Sequence, residues 1–136
     1  MKPVTIELQQ ELDEAESRSI LDFCLSRGVD SFTVTFLNVN EFADGFFEKL
    51  SPFSLGRRRL EQVFRFPSQP WNQDVEHWVL NNDSITLILE ASDGSLTNYR
   101  ICEIPEDWIF YRKGELFLGI VSHEDYCFAR YCCPMI

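Results

Sequence analysis

The spacing of apolar and polar residues predicts a strand, a helix and a second strand in the first third of the chain. Val4, Ile6 and Leu8 alternate with polar residues, which is typical of a short, half-buried strand. Residues 14–27 carry a broad apolar stripe at helical spacing, and residues 31–39 are rich in β-branched and aromatic side chains. We expect the second strand to lie near the centre of a sheet.

The first helix has clear start and stop signals. Asp13 and Glu16 have the spacing of a capping box, in which each side chain accepts a hydrogen bond from the other residue's backbone amide. Arg27 complements the negative end of the helix dipole, and Gly28 supplies the left-handed conformation that commonly ends a helix. The sequence therefore predicts a helix over residues 14–27.

A shorter helix is predicted after Asn40, whose side chain can cap the first turn. Phe42, Phe46 and Leu50 recur at four-residue spacing, although Gly45 costs about 1 kcal/mol relative to alanine. Residues 60–66 fit either a helix or a strand, because their apolar side chains match both periods.

From Val75 onward the pattern predicts a meander of antiparallel strands. Turn sequences occur at 81–83, 92–95, 105–106 and 113–114, between runs of strand-forming residues that include 85–90 and 116–121. The second run is apolar on both faces, so helices should cover one side of the sheet. A helix over residues 73–80 is an alternative, because its apolar residues also fall on one helical stripe.

These elements predict one α+β domain over residues 1–136. Its core is an antiparallel β-sheet, largely a C-terminal meander, which N-terminal helices cover on one face. A chain of 136 residues is long enough for one ordinary hydrophobic core, and hydrophobic residues make up 45% of it.

The charge balance limits the classes of partner. The chain has 22 acidic and 12 basic residues and a net charge of -10, which repels nucleic acids and anionic membranes. Solubility explains such a charge, and so does complementarity to a basic protein. We expect no nucleic-acid or membrane partner, and we favour a basic protein partner.

A docking surface for that partner is predicted in the second half of the chain. From Pro70 to Trp108 there are eight acidic residues and one basic residue, Arg100, among alternating apolar residues. Large aromatic rings are common anchors in protein interfaces. The candidate contacts are Trp71, Asp74, Glu76, Trp78, Asp83, Glu90 and Asp93.

Motifs for common enzyme chemistry are missing from the sequence. It contains no glycine-rich phosphate loop, no GxGxxG, no GxSxG and no HExxH. The run at residues 57–59, with Arg65, has the right chemistry to bind an anion, but neutralising the chain's own carboxylates is its simpler role. We therefore predict a non-enzymatic binding protein without a cofactor, for example an immunity protein or inhibitor against a basic toxin.

Two alternatives of a different class stay open. His123, Cys127 and Cys132 have the chemistry of zinc ligands, or of a cysteine nucleophile with its base, although their spacing is not that of a structural zinc site. The chain's 12 Phe residues also suit a sheet cupped around a small apolar ligand.

The cysteines and the N-terminal residues indicate a compartment. The five cysteines form no repeating framework, which is more typical of reduced thiols than of disulfides. The N-terminal residues do not resemble a secretory signal, and no apolar run is long enough to span a membrane. We expect a cytoplasmic protein.

Overall fold

The computed structural model describes residues 3–35, 41–59, 74–98 and 107–132, and these ranges contain seven strands and three α-helices. The strands are β1 (Pro3–Gln9), β2 (Ser31–Thr35), β3 (Ser54–Arg59), β4 (Asp74–Val79), β5 (Asp107–Arg112), β6 (Glu115–Val121) and β7 (Tyr126–Cys132). The helices are α1 (Glu14–Ser26), α2 (Glu41–Leu50) and α3 (Asn82–Ala91). The fold is α+β, as the sequence predicts.

All seven strands form one antiparallel sheet in the order β1-β7-β6-β5-β2-β4-β3. The meander β5-β6-β7 confirms the predicted C-terminal sheet, and β2 lies in the interior of the sheet as expected. The first and last described strands pair along their whole length, from Pro3 opposite Cys132 to Gln9 opposite Tyr126. This pairing brings the residues that follow β1 beside those that precede β7.

Helix α1 begins at the predicted residue and ends at Ser26, one residue before the predicted end. The Asp13 side chain accepts a hydrogen bond of 2.7 Å from the Glu16 amide, and the Glu16 side chain accepts one of 3.1 Å from the Asp13 amide. Gly28 follows the helix with a φ of 85°, the left-handed conformation that commonly ends a helix. Leu21 and Cys24 are fully buried, so the apolar stripe of α1 packs on the sheet.

The three helices cover the same face of the sheet. Buried residues from each of them join one cluster with the strand residues that point to that face. The largest fully buried side chains of this cluster include Trp108, Phe32 and Phe110, at the centre of β5 and β2. The opposite face carries a second, smaller cluster around Ile109 and Val121, so β6 is apolar on both sides as predicted, and β5 is as well.

Helix α3 replaces a predicted strand. The strand prediction over residues 85–90 is wrong, because this run lies in α3. The Asn81 side chain accepts a hydrogen bond of 2.8 Å from the Ser84 amide, and Ile85 and Ile88 are fully buried one helical turn apart. Long-range packing on the sheet therefore outweighed a two-residue alternation that suited a strand equally well.

The other expectations have mixed outcomes. The alternative helix over residues 73–80 is wrong, because β4 occupies this segment, whereas the helix after Asn40 and the turn at 113–114 are confirmed. The predicted strand connections at 81–83 and 92–95 are wrong, because residues 82–83 lie in α3 and the turn at 92–94 follows that helix. Asn40 itself, residues 60–66 and the turn at 105–106 lie outside the described residues. No helix in the described ranges is long and apolar enough to cross a membrane.

Candidate functional site

Two acidic residues of the predicted docking surface lie on β4 beside the arginines of the edge strand β3. Arg57 is directly opposite Glu76, and Arg59 is directly opposite Asp74. Ser54 Oγ donates a hydrogen bond to Glu76, and the Arg57 guanidinium donates one of 3.1 Å to the Asp74 carbonyl. Opposite charges at paired positions stabilise antiparallel strands, so this edge carries mixed charge.

The other three acidic candidates lie on α3 or just after it. Asp83 is in the first turn of the helix, where a negative charge favours the helix dipole. Glu90 is near the last turn and forms a salt bridge of 3.1 Å with Lys49 of α2. Asp93 lies in the turn that follows the helix, about 15 Å from its start at 1.5 Å per residue. The five acidic candidates therefore occupy three separate positions.

Of the two aromatic candidates, Trp78 lies within the described residues. Trp78 is 5% exposed, and its ring stacks on Phe47 with a centroid distance of 5.3 Å and an interplanar angle of 12°. It is a core residue on the helix-covered face, so it presents no ring to a partner in this conformation. Trp71 lies outside the described residues.

A different site forms where three distant segments meet, at residues 7–17, 92–98 and 122–126. The Gln10 amide donates a hydrogen bond of 2.9 Å to the Asp125 carbonyl, which joins the first segment to the third. The Leu96 amide donates one of 3.0 Å to Ser17 Oγ, which joins the second segment to the first. Ser122 Oγ donates one of 2.8 Å to the Leu96 carbonyl, which closes the triangle.

We call this region the acidic end of the molecule, defined by the eight carboxylates of the three segments. None of the segments contains a Lys or an Arg, and His123 is their one residue with a basic side chain. Six of the eight side chains are exposed and two are half-buried. The eight residues are Glu7, Glu11, Asp13, Glu14, Glu16, Asp93, Glu124 and Asp125.

A cleft of about 390 Å³ opens at the centre of the acidic end. Among the described residues that line it, Leu12 is apolar and the others are polar. The polar lining residues are Glu11, Ser95, Thr97, Asn98, Ser122 and Asp125. This cleft differs from the apolar cavity that the small-ligand alternative requires.

Three residues in the loops around the cleft, Asp93, Gly94 and Asp125, have left-handed backbone conformations. Asp125 has a φ of 50°, which turns the chain from the 3₁₀ turn at 122–124 into β7. Gly94 has a φ of 83° and follows α3, with the Glu14 side chain 3.5 Å from where a Cβ would lie. Aspartate tolerates the left-handed region better than most residues, and glycine adopts it without a steric cost.

The cysteines of the alternative site do not have the properties of a nucleophile. Burial raises the pKa of Cys127 to about 11 and, with a smaller contribution from Cys127, the pKa of Cys24 to about 12. Both thiols are therefore protonated near neutral pH and are buried in the helix-covered core. A nucleophilic cysteine requires a lowered pKa and access to substrate.

The metal-binding alternative gains no support from the strand geometry. Cys127 and Cys132 lie five residues apart in the continuous strand β7, so their Cα atoms are separated by about 17 Å. Two zinc ligands with bonds of about 2.3 Å must hold their sulfurs within about 5 Å of each other. No group of three metal-binding side chains occurs among the described residues. The side chains of His123 and Cys132 lie outside them.

Comparison of the chain with protein family models, with curated proteins and with solved structures found no match. Any proposal about the function therefore depends on the geometry of the acidic end. Sequence reasoning included Asp93 among its candidates but missed the other residues of this region. The acidic run from residue 11 to residue 16 was the available signal, and the capping box accounted for part of it.

Proposed function

We propose that this protein is a non-enzymatic binding protein whose acidic end docks a basic protein partner. The observation that carries the proposal is a polar cleft, lined by the carboxylates of Glu11 and Asp125, at the meeting point of three segments that together contain eight carboxylates and no Lys or Arg of their own. A field of one sign on a concave surface raises the association rate of an oppositely charged protein. The docking surface predicted from sequence is thereby relocated, with Asp93 common to both.

An immunity protein or inhibitor that neutralises a basic toxin is the concrete instance that fits best. A nuclease must be basic where it contacts phosphates, so an acidic protein can cover that surface and block the substrate. The proposal includes a cytoplasmic location, where thiols stay reduced, and Cys24 and Cys127 are free thiols.

A charge-matched pair of variants tests the proposal. The acidic-end variant carries Glu11→Gln, Glu14→Gln, Glu124→Gln and Asp125→Asn, and it leaves the capping box of α1 intact. The control variant carries Asp44→Asn, Glu48→Gln, Asp74→Asn and Glu115→Gln, all at exposed positions elsewhere. Each variant raises the net charge of -10 by four, to -6, so overall charge is the same in both.

The measurement is affinity capture from a lysate of the source cells at low and high salt, with identification of the captured proteins. We expect wild type and the control variant to retain a basic protein at low salt, and the acidic-end variant to lose it. Higher salt should weaken capture, because it screens the exposed charges. Equal capture of that protein by the two variants, or capture of acidic proteins only, would contradict the proposal.

A further inference from the structure

The polar side chains that line the cleft already donate their hydrogen bonds to other groups of the protein. Ser95 Oγ donates to the Leu12 carbonyl, and Ser122 Oγ donates over 2.8 Å to the Leu96 carbonyl. Because the single hydroxyl hydrogen of Ser95 is engaged, Thr97 is the donor in the 3.2 Å contact between their hydroxyls. All three hydroxyl hydrogens are therefore occupied.

The amide of Asn98 has the same property. Its Nδ2 donates to the carbonyls of Ser92 at 2.8 Å and Asp93 at 3.3 Å. Both partners are acceptors, which fixes the orientation of the amide and leaves Oδ1 as its remaining hydrogen-bonding atom. The carboxylates of Glu11 and Asp125 add acceptor oxygens to the cleft, and as carboxylates they have no donor.

The cleft is thus a concave array of acceptors, and the lining residues that the structure describes offer no free side-chain donor. A ligand that satisfies it must bring several donors and no acceptor of its own, and a positive charge suits the two carboxylates. A guanidinium has five donors in a planar fork and no acceptor, whereas an ammonium has three donors. Glu11, Asn98 and Asp125 together present five side-chain acceptor oxygens, which match the larger donor count.

The cleft is large enough to admit a single long side chain. Its volume of about 390 Å³ lies near the lower end of the range of small-molecule pockets, about 300–1,000 Å³. We infer that the cleft receives the guanidinium of one arginine side chain from the basic partner. This inference rests on the proposed function and specifies how the acidic end recognises its partner.

Three short peptides provide the test, each titrated into the isotopically labelled full-length protein and followed by NMR. The probe is acetyl-Gly-Arg-Gly-amide, and the comparison peptides contain lysine or the uncharged isostere citrulline instead of arginine. We expect the arginine peptide to shift the Asn98 side-chain amide and the backbone amides of Leu96 and Asp125. The lysine peptide should bind more weakly, and the citrulline peptide should produce no saturable shift.

Variants that keep the shape of the cleft establish where the arginine binds. Glu11→Gln with Asp125→Asn should weaken the arginine peptide about tenfold, because charge-assisted hydrogen bonds are lost. Asparagine tolerates the left-handed conformation at residue 125, so the fold should be preserved. Asp44→Asn with Glu115→Gln is the matched control and should leave the dissociation constant unchanged.

The inference is overturned if citrulline or lysine binds as well as arginine, or if the cleft variant binds as well as the control. Its failure is distinguishable from failure of the proposed function. If the acidic-end variant loses partner capture but no arginine peptide binds the cleft, docking at the acidic end is supported and the arginine-binding cleft is contradicted. If the arginine peptide binds the cleft but no basic protein is captured, the proposal of a basic protein partner is overturned.

Discussion

The backbone amide of Leu12 donates a hydrogen bond of 2.8 Å to Thr97 Oγ1, across 85 residues of sequence. Leu12 is 4% exposed and Thr97 5%, so water cannot easily replace either partner. Thr97→Val keeps the shape of the side chain but leaves the amide unpaired, which should lower the free energy of unfolding by about 1–3 kcal/mol. Urea denaturation measures this change.

A matched threonine separates this effect from a general threonine effect. Thr86 is exposed on α3, and its hydroxyl donates over 3.2 Å within the same helix, to the Asn82 carbonyl. Thr86→Val should change the free energy of unfolding by less than about 0.5 kcal/mol. Similar losses in the two variants would mean that the Leu12–Thr97 bond does not hold the acidic end together.

The stability should depend on pH through His77 on β4. Burial lowers its pKa from the ordinary 6.5, with a smaller contribution from Arg58, while the Val75 carbonyl and Glu76 oppose the shift. The unfolded state therefore binds more protons than the folded state as the pH falls through 6.5. This contribution to stability is present above that pH and is lost below it, with a slope of at most about 1.4 kcal/mol per pH unit.

His77→Asn provides the comparison for this pH dependence. The asparagine amide can replace Nδ1, whose hydrogen bond to the Val75 carbonyl is 2.8 Å long, but it does not titrate. The free energy of unfolding of this variant, followed from pH 8 to pH 5, should fall less steeply than that of wild type. Parallel curves would show that His77 is not the group responsible.

The two buried thiols should resist alkylation in the native protein. Cys24 and Cys127 are protonated at pH 8, because burial raises their pKa values to about 12 and about 11. Iodoacetamide followed by tryptic mass spectrometry reads them separately, in peptides 19–27 and 114–130. Both peptides should stay unmodified in native protein and react fully in denaturant. Equal labelling in the two states would contradict the burial of these thiols.

The hairpin between β5 and β6 offers a stabilising substitution. Lys113 and Gly114 both have positive φ, 51° and 80°, as a two-residue type I′ turn requires. Lys113→Asn should raise the free energy of unfolding by about 0.5–1 kcal/mol, because asparagine adopts this conformation at lower cost. Lys49→Asn in α2 is the contrast and should destabilise, since it lowers helix propensity and removes the ion pair with Glu90. Thermal denaturation of both variants decides the point.

Local signals allowed the sequence to predict those elements whose ends carry specific chemistry. The capping box of Asp13 and Glu16 and the stop at Gly28 identified α1 almost to the residue. Helix α3 was missed because Asn81 looks like a turn residue, although Ser84 three positions later completes its cap. Its apolar residues alternate as well as they repeat at helical spacing, so only packing on the sheet decides between the two.

The candidate site was harder to predict, because long-range pairing assembles it. Glu11 and Asp125 converge because β1 pairs with β7, and the Ser95 loop joins them through hydrogen bonds to Leu12. No short-range spacing reports such contacts. Composition indicated the sign of the surface charge, while the pairing of distant strands determined where the charges gather.

The position of β1 at the rim of the sheet has a consequence for the cleft. Among the described strands β7 is its one neighbour, so β1, like β3 at the opposite edge, has amides that can exchange with solvent after a small local opening. That opening would separate Glu11 from Asp125 and dismantle the acceptor array. A cation that bridges the two carboxylates would hold the end of β1 against β7, and its binding would be measured as slower deuterium uptake along residues 3–9.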